Sequence, residues 1–88
     1  MLEIKFTKSA EKDFEFWCTS DRKTAQKIVS LLEEMTQTPY TGKGKPEALK
    51  HEYSGFWSRR INSKDRIVYQ VDEQAAVLYI VSLRKHYC

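Results

Sequence analysis

Polar and apolar residues alternate through LEIKF, so that Leu2, Ile4 and Phe6 share one side, the period-two pattern of a half-buried strand. The period then lengthens. In SAEKDFEFWCTS, Ala10, Phe14 and Trp17 recur at helical spacing and Phe16 widens the stripe, with Thr7 or Ser9 available to cap the helix. The TSD stretch interrupts this pattern. Ser20 can cap a second helix, with Asp21 in its first turn, over Asp21 to Thr36. Ala25, Ile28, Val29, Leu32 and Met35 form its expected buried face, Leu31 lies at the border, and Arg22, Lys23 and Lys27 point outward. Pro39 helps to stop it, because the residue before a proline is pushed out of helical angles.

The connection TPYTGKGKPEALKHEYSG holds both prolines and all three glycines of the chain and reads as a long loop. Loops of this length inside a compact domain are usually functional or disordered, and this one carries Lys43, Lys45, Glu47 and Lys50. Strand-like runs follow at Gly55 to Asn62, Arg66 to Val71 and Ala76 to Lys85, separated by the short polar turns NSKD and DEQA. Short turns imply antiparallel hairpins. The predicted order is β-α-α-β-β-β, an α+β domain with two helices packed on one face of a mostly antiparallel sheet.

Within this frame the arginines of SGFWSRRINSKDRIVYQV need a place. Successive strand residues face opposite sides. Ile67, Tyr69 and Val71 take the helix-covered face, so Arg66, Val68 and Gln70 take the other. Arg59 and Arg60 point to opposite faces, and only one of them can join Arg66.

At 88 residues, with 41% hydrophobic and 12% aromatic content, the chain suffices for one domain over residues 1–88 with one core. Its core supplies about 3–5 kcal/mol, so a tight partner would alter its stability appreciably. Two cysteines, Cys18 and Cys88, make no secreted disulfide framework, and Met1 leads straight into the first strand rather than into a signal peptide. No apolar run approaches the ~20 residues of a membrane span. A cytoplasmic protein with reduced thiols is therefore expected. The net charge of +3 is a mild basic bias, concentrated between residues 42 and 66.

The candidate chemistry comes from side chains that a short meander could gather: Glu47 and Lys50 from the loop, Arg66 from the sheet, and Arg84, Lys85, His86 and Tyr87 from the terminal RKHYC. RNA cleavage without a metal needs a base for the 2′-hydroxyl, an acid for the departing 5′-oxygen and cations around the phosphate. A carboxylate and an imidazole suit the proton work, and a planar guanidinium suits phosphate oxygens. The ordinary alternatives are surface ion pairs for the arginines, a solvated Glu47 and a surface histidine. GKGKP lacks the phosphate-loop pattern, and neither C-x-x-C nor H-E-x-x-H occurs, so neither a cofactor nor a metal site is expected.

The segment TPYTGKGKPEALKHEYSGFWSRRINSKDRIVYQV, followed by the terminal HY, resembles the YoeB (Txe) toxins of the RelE-like toxin–antitoxin superfamily. The resemblance extends over essentially the whole chain. It implies a RelE-like RNase fold and a ribosome-dependent endoribonuclease that cuts messenger RNA in the ribosomal A site. It further implies a YefM-type antitoxin as partner, operator DNA contacted only through that antitoxin, and compatibility with a homodimer; it gives no membrane role. Carried onto this chain, the resemblance implies Glu47 as general base, Arg66 as phosphate-stabilising residue, His86 as general acid and Tyr87 as its support. Lys50, Arg59 and Arg60 are the candidate RNA-binding residues. Family members often end at the tyrosine, whereas Cys88 follows it here. The competing reading is a non-catalytic module of the same fold that binds RNA or antitoxin.

Overall fold

The computed structural model describes residues 1–84. The elements are β1 (Glu3–Phe6), α1 (Lys8–Ser20), α2 (Arg22–Gln37), β2 (Glu47–Ala48), a 3-10 turn (His51–Tyr53), β3 (Trp57–Arg60), β4 (Arg66–Asp72) and β5 (Val77–Ser82). They form a five-stranded sheet in the order β1-β5-β4-β3-β2. β1 runs parallel to β5, and every other pairing is antiparallel. The α+β class and the helical hairpin follow the pattern of the sequence. The two-residue strand β2 does not: it lies inside the stretch expected to be a loop.

Two polar residues organise the helices. Thr7 caps α1, its Oγ1 accepting from the Ala10 amide at 3.1 Å while its hydroxyl donates to the Val81 carbonyl at 3.0 Å. Asp21 both ends α1 and begins α2. Its amide donates to the Trp17 carbonyl, and its carboxylate accepts from the amide and hydroxyl of Thr24. Ser20, the expected cap, instead belongs to α1 and donates back to the Phe16 carbonyl. The Asp21 carboxylate satisfies two donors at once, one on each oxygen.

The buried face of α2 is Ala25, Ile28, Leu31, Leu32 and Met35. Leu31, placed at the border by pattern alone, is only 4% exposed, whereas Val29 is 41% exposed. Both positions extend the same helical stripe, and tertiary packing decides between them. Leu31 joins the cluster that contains Ile61, while Val29 borders an open cleft between the helices beside Phe14 and Cys18. From the sheet, Ile67, Tyr69, Leu78 and Ile80 complete the core, with Leu2, Ile4 and Phe6 packed against it.

β5 carries one extra residue. Tyr69 pairs with Ile80 but Val68 pairs with Ser82, so Val81 forms a bulge. The bulge shifts the alternation by one residue. Ser82 moves to the helix-free face with Val68, and Leu83 enters the core, fully buried. Among the described residues no helix is long and apolar enough to cross a membrane.

Candidate active site on the open face of the sheet

Register determines which side chains meet. Glu47 stands opposite Ser58 across β2–β3, Ser58 opposite Val68 across β3–β4, and Arg60 opposite Arg66. All share the face that the helices leave uncovered. Arg60, not Arg59, is therefore the arginine that joins Arg66.

The short edge strand β2 is what brings Glu47 to this face. Its position is held by backbone bonds on either side: the Leu49 amide donates to the Phe56 carbonyl at 2.9 Å and the Arg60 amide donates to the Gly44 carbonyl at 2.7 Å. Arg66 Nη1 then lies 3.5 Å from Glu47 Oε1 and 3.2 Å from Ser58 Oγ. The arginine side chain is 13% exposed and the glutamate 66%. A pair this long and this wet contributes about 0–1 kcal/mol, so a substrate can separate it at small cost. Among the described residues both bonds of Arg66 leave from Nη1, and a planar guanidinium suits phosphate oxygens. The arrangement offers a proton acceptor and a fixed cation on one accessible surface.

Arg59 overturns its expected role in RNA binding. It is completely buried. Its Nη1 bonds Glu34 Oε1 at 2.5 Å and the Lys43 carbonyl at 3.0 Å, and its Nη2 bonds the carbonyls of Thr38 and Thr41. Tyr69 lies at its Nε and donates its own hydroxyl to the Pro39 carbonyl. A guanidinium with five donors is thus spent on fastening the loop that leads to β2. Arg59 and the Lys43 amide hold the Glu34 carboxyl below its ordinary value. Burial raises the Tyr69 phenol above its ordinary value, although Arg59 opposes the shift. Gly42 completes the arrangement: at φ +116° a Cβ there would fall 2.0 Å from Glu34 Oε1.

Lys50 is exposed and precedes the 3-10 turn, in the same segment as Glu47. His86 and Tyr87, together with Cys88, lie outside the described residues. The chain leading to them is tied to α1. The Leu83 amide donates to Asp13 Oδ2 at 2.9 Å, and Trp17 Nε1 donates to the Leu83 carbonyl at 2.8 Å. The Arg84 guanidinium sits 3.6 Å above the Phe16 ring. Sequence reasoning missed Ser58, Glu34 and Asp13. Only for Asp13 was there a signal, its four-residue spacing from Trp17, which places both on one helical face.

A family model described as the YoeB-like toxin of bacterial type II toxin–antitoxin systems matches residues 6–87. The chain is 41% identical to the toxin YoeB of Mycobacterium bovis over 87 residues, covering 99% of this chain and 100% of that one. Among solved structures, a YoeB/ParE toxin from Agrobacterium tumefaciens superposes with a TM-score of 0.94 at 38% identity, covering 98% of this chain and 100% of that one. The heterotetrameric YoeB–YefM toxin–antitoxin complex from Staphylococcus aureus superposes with a TM-score of 0.87 at 38% identity, covering 99% of each chain.

Proposed function

The chain belongs to the YoeB-like toxins of bacterial type II toxin–antitoxin systems, and from that premise we propose that it is a ribosome-dependent endoribonuclease that cleaves messenger RNA in the ribosomal A site and so inhibits translation. The observation that carries the reading is the juxtaposition of Glu47 and Arg66, 3.5 Å apart on the open face of the sheet.

The reaction is an internal displacement. Glu47 takes the proton of a ribose 2′-hydroxyl, and the oxygen attacks the adjacent phosphorus. Negative charge builds on the phosphoryl oxygens. Arg66, with Lys50 and Arg60 nearby in sequence or register, stabilises it. The phosphorus–oxygen bond to the 5′-oxygen breaks, and His86 supplies the proton that this leaving group needs, with Tyr87 fixing geometry. The products carry a 2′,3′-cyclic phosphate on one side, which addition of one water opens to a 3′-phosphate, and a 5′-hydroxyl on the other. Base, cation and acid come from side chains, so the step is written without a metal.

The YefM-containing complex of the related Staphylococcus toxin supports an antitoxin of the same type as the neutralising partner. Contact with operator DNA would run through that antitoxin.

Mapping of messenger ends after induced expression tests the reading. Cuts within translated codons, with 5′-hydroxyl ends and suppressed by the co-expressed antitoxin, are expected. Ends bearing a 5′-phosphate, or cleavage of naked RNA at the same rate as on ribosomes, would overturn it.

A further inference from the structure

A second anionic site adjoins the first. A groove of about 600 Å³ runs between α2, the loop before β2 and the β3–β4 turn. Lys27, Lys43, Lys45 and Arg60 line it, with the polar side chains of Ser30 and Asn62, and none of its lining residues is acidic. The chain's net charge is only +3, so three lysines along one concavity, with Arg60 at its border, represent a strong local concentration.

The groove is built rather than incidental. Lys27 Nζ is pinned by the Ile61 carbonyl at 2.5 Å. Lys43 is held from both sides, its amide on Glu34 and its carbonyl on the buried Arg59. Lys45 adopts φ +51°, a left-handed conformation that a lysine takes only at some cost. Gly44 lets the loop lie against β3: a Cβ there would fall 3.0 Å from the Arg60 carbonyl oxygen. Arg60 connects the two sites, lining the groove while its Cα stands opposite Arg66.

We propose that this groove holds consecutive backbone phosphates of the RNA strand that is cut, on one side of the scissile phosphate and without reading base identity. The inference rests on the cleavage reading for the identity of the strand. Lysines and an arginine on flexible stems suit phosphates, and the groove offers no aromatic ring for base stacking.

The test uses the Glu47→Gln protein, so that RNA stays intact, and a short labelled single-stranded RNA titrated over a range of salt. Lys43→Gln with Lys45→Gln, both at exposed positions, forms one variant; Lys27→Gln forms a second, and thermal melts check both folds. Binding is expected to weaken about tenfold, with the log–log salt slope falling by about 0.7 for each phosphate no longer neutralised. Restored to Glu47, the same variants should raise KM for ribosome-bound messenger and leave kcat unchanged. Unchanged RNA affinity and slope overturn the proposal. Loss confined to antitoxin binding would make the occupant an acidic protein segment, and loss confined to empty ribosomes would make it ribosomal RNA; either also overturns it. If the wild type cuts but the groove variants bind RNA normally, the groove alone fails. If the slope falls as expected but the wild type does not cut, the cleavage reading alone fails.

Discussion

Arg60 stands directly opposite Arg66 across the β3–β4 ladder, with both side chains on the open face. Like charges facing each other across a sheet destabilise it by an amount comparable to a favourable pair, about 0.2–1 kcal/mol. The pair is explained if an anion belongs between them. We predict that Arg60→Gln raises the unfolding midpoint slightly while lowering RNA affinity. Urea titration and RNA binding on the same preparation check this, and a variant that loses both stability and affinity would contradict it.

Glu47 is two-thirds exposed and contributes little to the fold. Glu47→Gln is expected to keep the native melting profile and to lower cleavage about 10²–10⁴-fold, the range typical for loss of a general base. Single-turnover cleavage on programmed ribosomes measures it. Arg66→Lys should also reduce cleavage strongly, because an ammonium cannot reproduce a planar fork. Retention of activity in Glu47→Gln would remove that residue from the proton pathway.

Arg59 predicts the reverse phenotype. Arg59→Met leaves Glu34 and the carbonyls of Thr38, Thr41 and Lys43 without their buried donor. A loss of several kcal/mol is expected, about 1–3 for each buried carbonyl left without its donor and less for the part-exposed Glu34. That is comparable to the whole margin of so small a domain, so chemical denaturation should show a largely unfolded chain. Of the two adjacent arginines, only one tolerates neutral replacement.

Acid sensitivity should reside partly in Glu34. Its folded pKa is depressed below the ordinary carboxylate value by Arg59 and the Lys43 amide. Its contribution is therefore fully present above that ordinary value, 4.5, and is lost as pH falls through the lower, folded one. Glu34→Gln should flatten the stability profile below about pH 4.5 and leave its shape unchanged near neutrality. Equilibrium unfolding across the acid range distinguishes this from a general loss of stability, which would lower the whole curve evenly.

Trp17→Phe keeps an aromatic ring in the core but removes the donor to Leu83. The expected cost is about 0.5–1.5 kcal/mol, small enough to leave the protein folded. Leu83 precedes His86 by three positions in the chain, so kcat should fall more than KM rises. Equal activity at equal folded fraction would show that this anchor serves the fold alone.

The elements of the fold were legible because their periods differ clearly: LEIKF alternates, the two helices repeat at 3.6 residues, and NSKD marks a turn. In that turn the Asn62 side chain accepts from the amides of both Lys64 and Asp65, the local bonding that makes asparagine a turn residue. Glu47 and Arg66 were named as candidates that a meander could gather, but the two-residue strand that brings them together is announced by no pattern. The fate of Arg59 was equally hidden. A buried arginine reads like a surface one until its five oxygen partners, none nearer than 10 residues in sequence, are brought around it. The bulge at Val81 likewise depends on register, which hydropathy records only as one misplaced serine.

The parallel pairing of β1 with β5 also sets the timing of assembly. Among the described residues β1, the earliest strand, has its only neighbour in β5, the latest, and β5 also separates it from β4. A growing polypeptide of this order cannot close its sheet before β5 has been made. Closure of the sheet is thereby tied to a contact between its earliest and latest described strands, a long-range pairing that ordinarily slows folding.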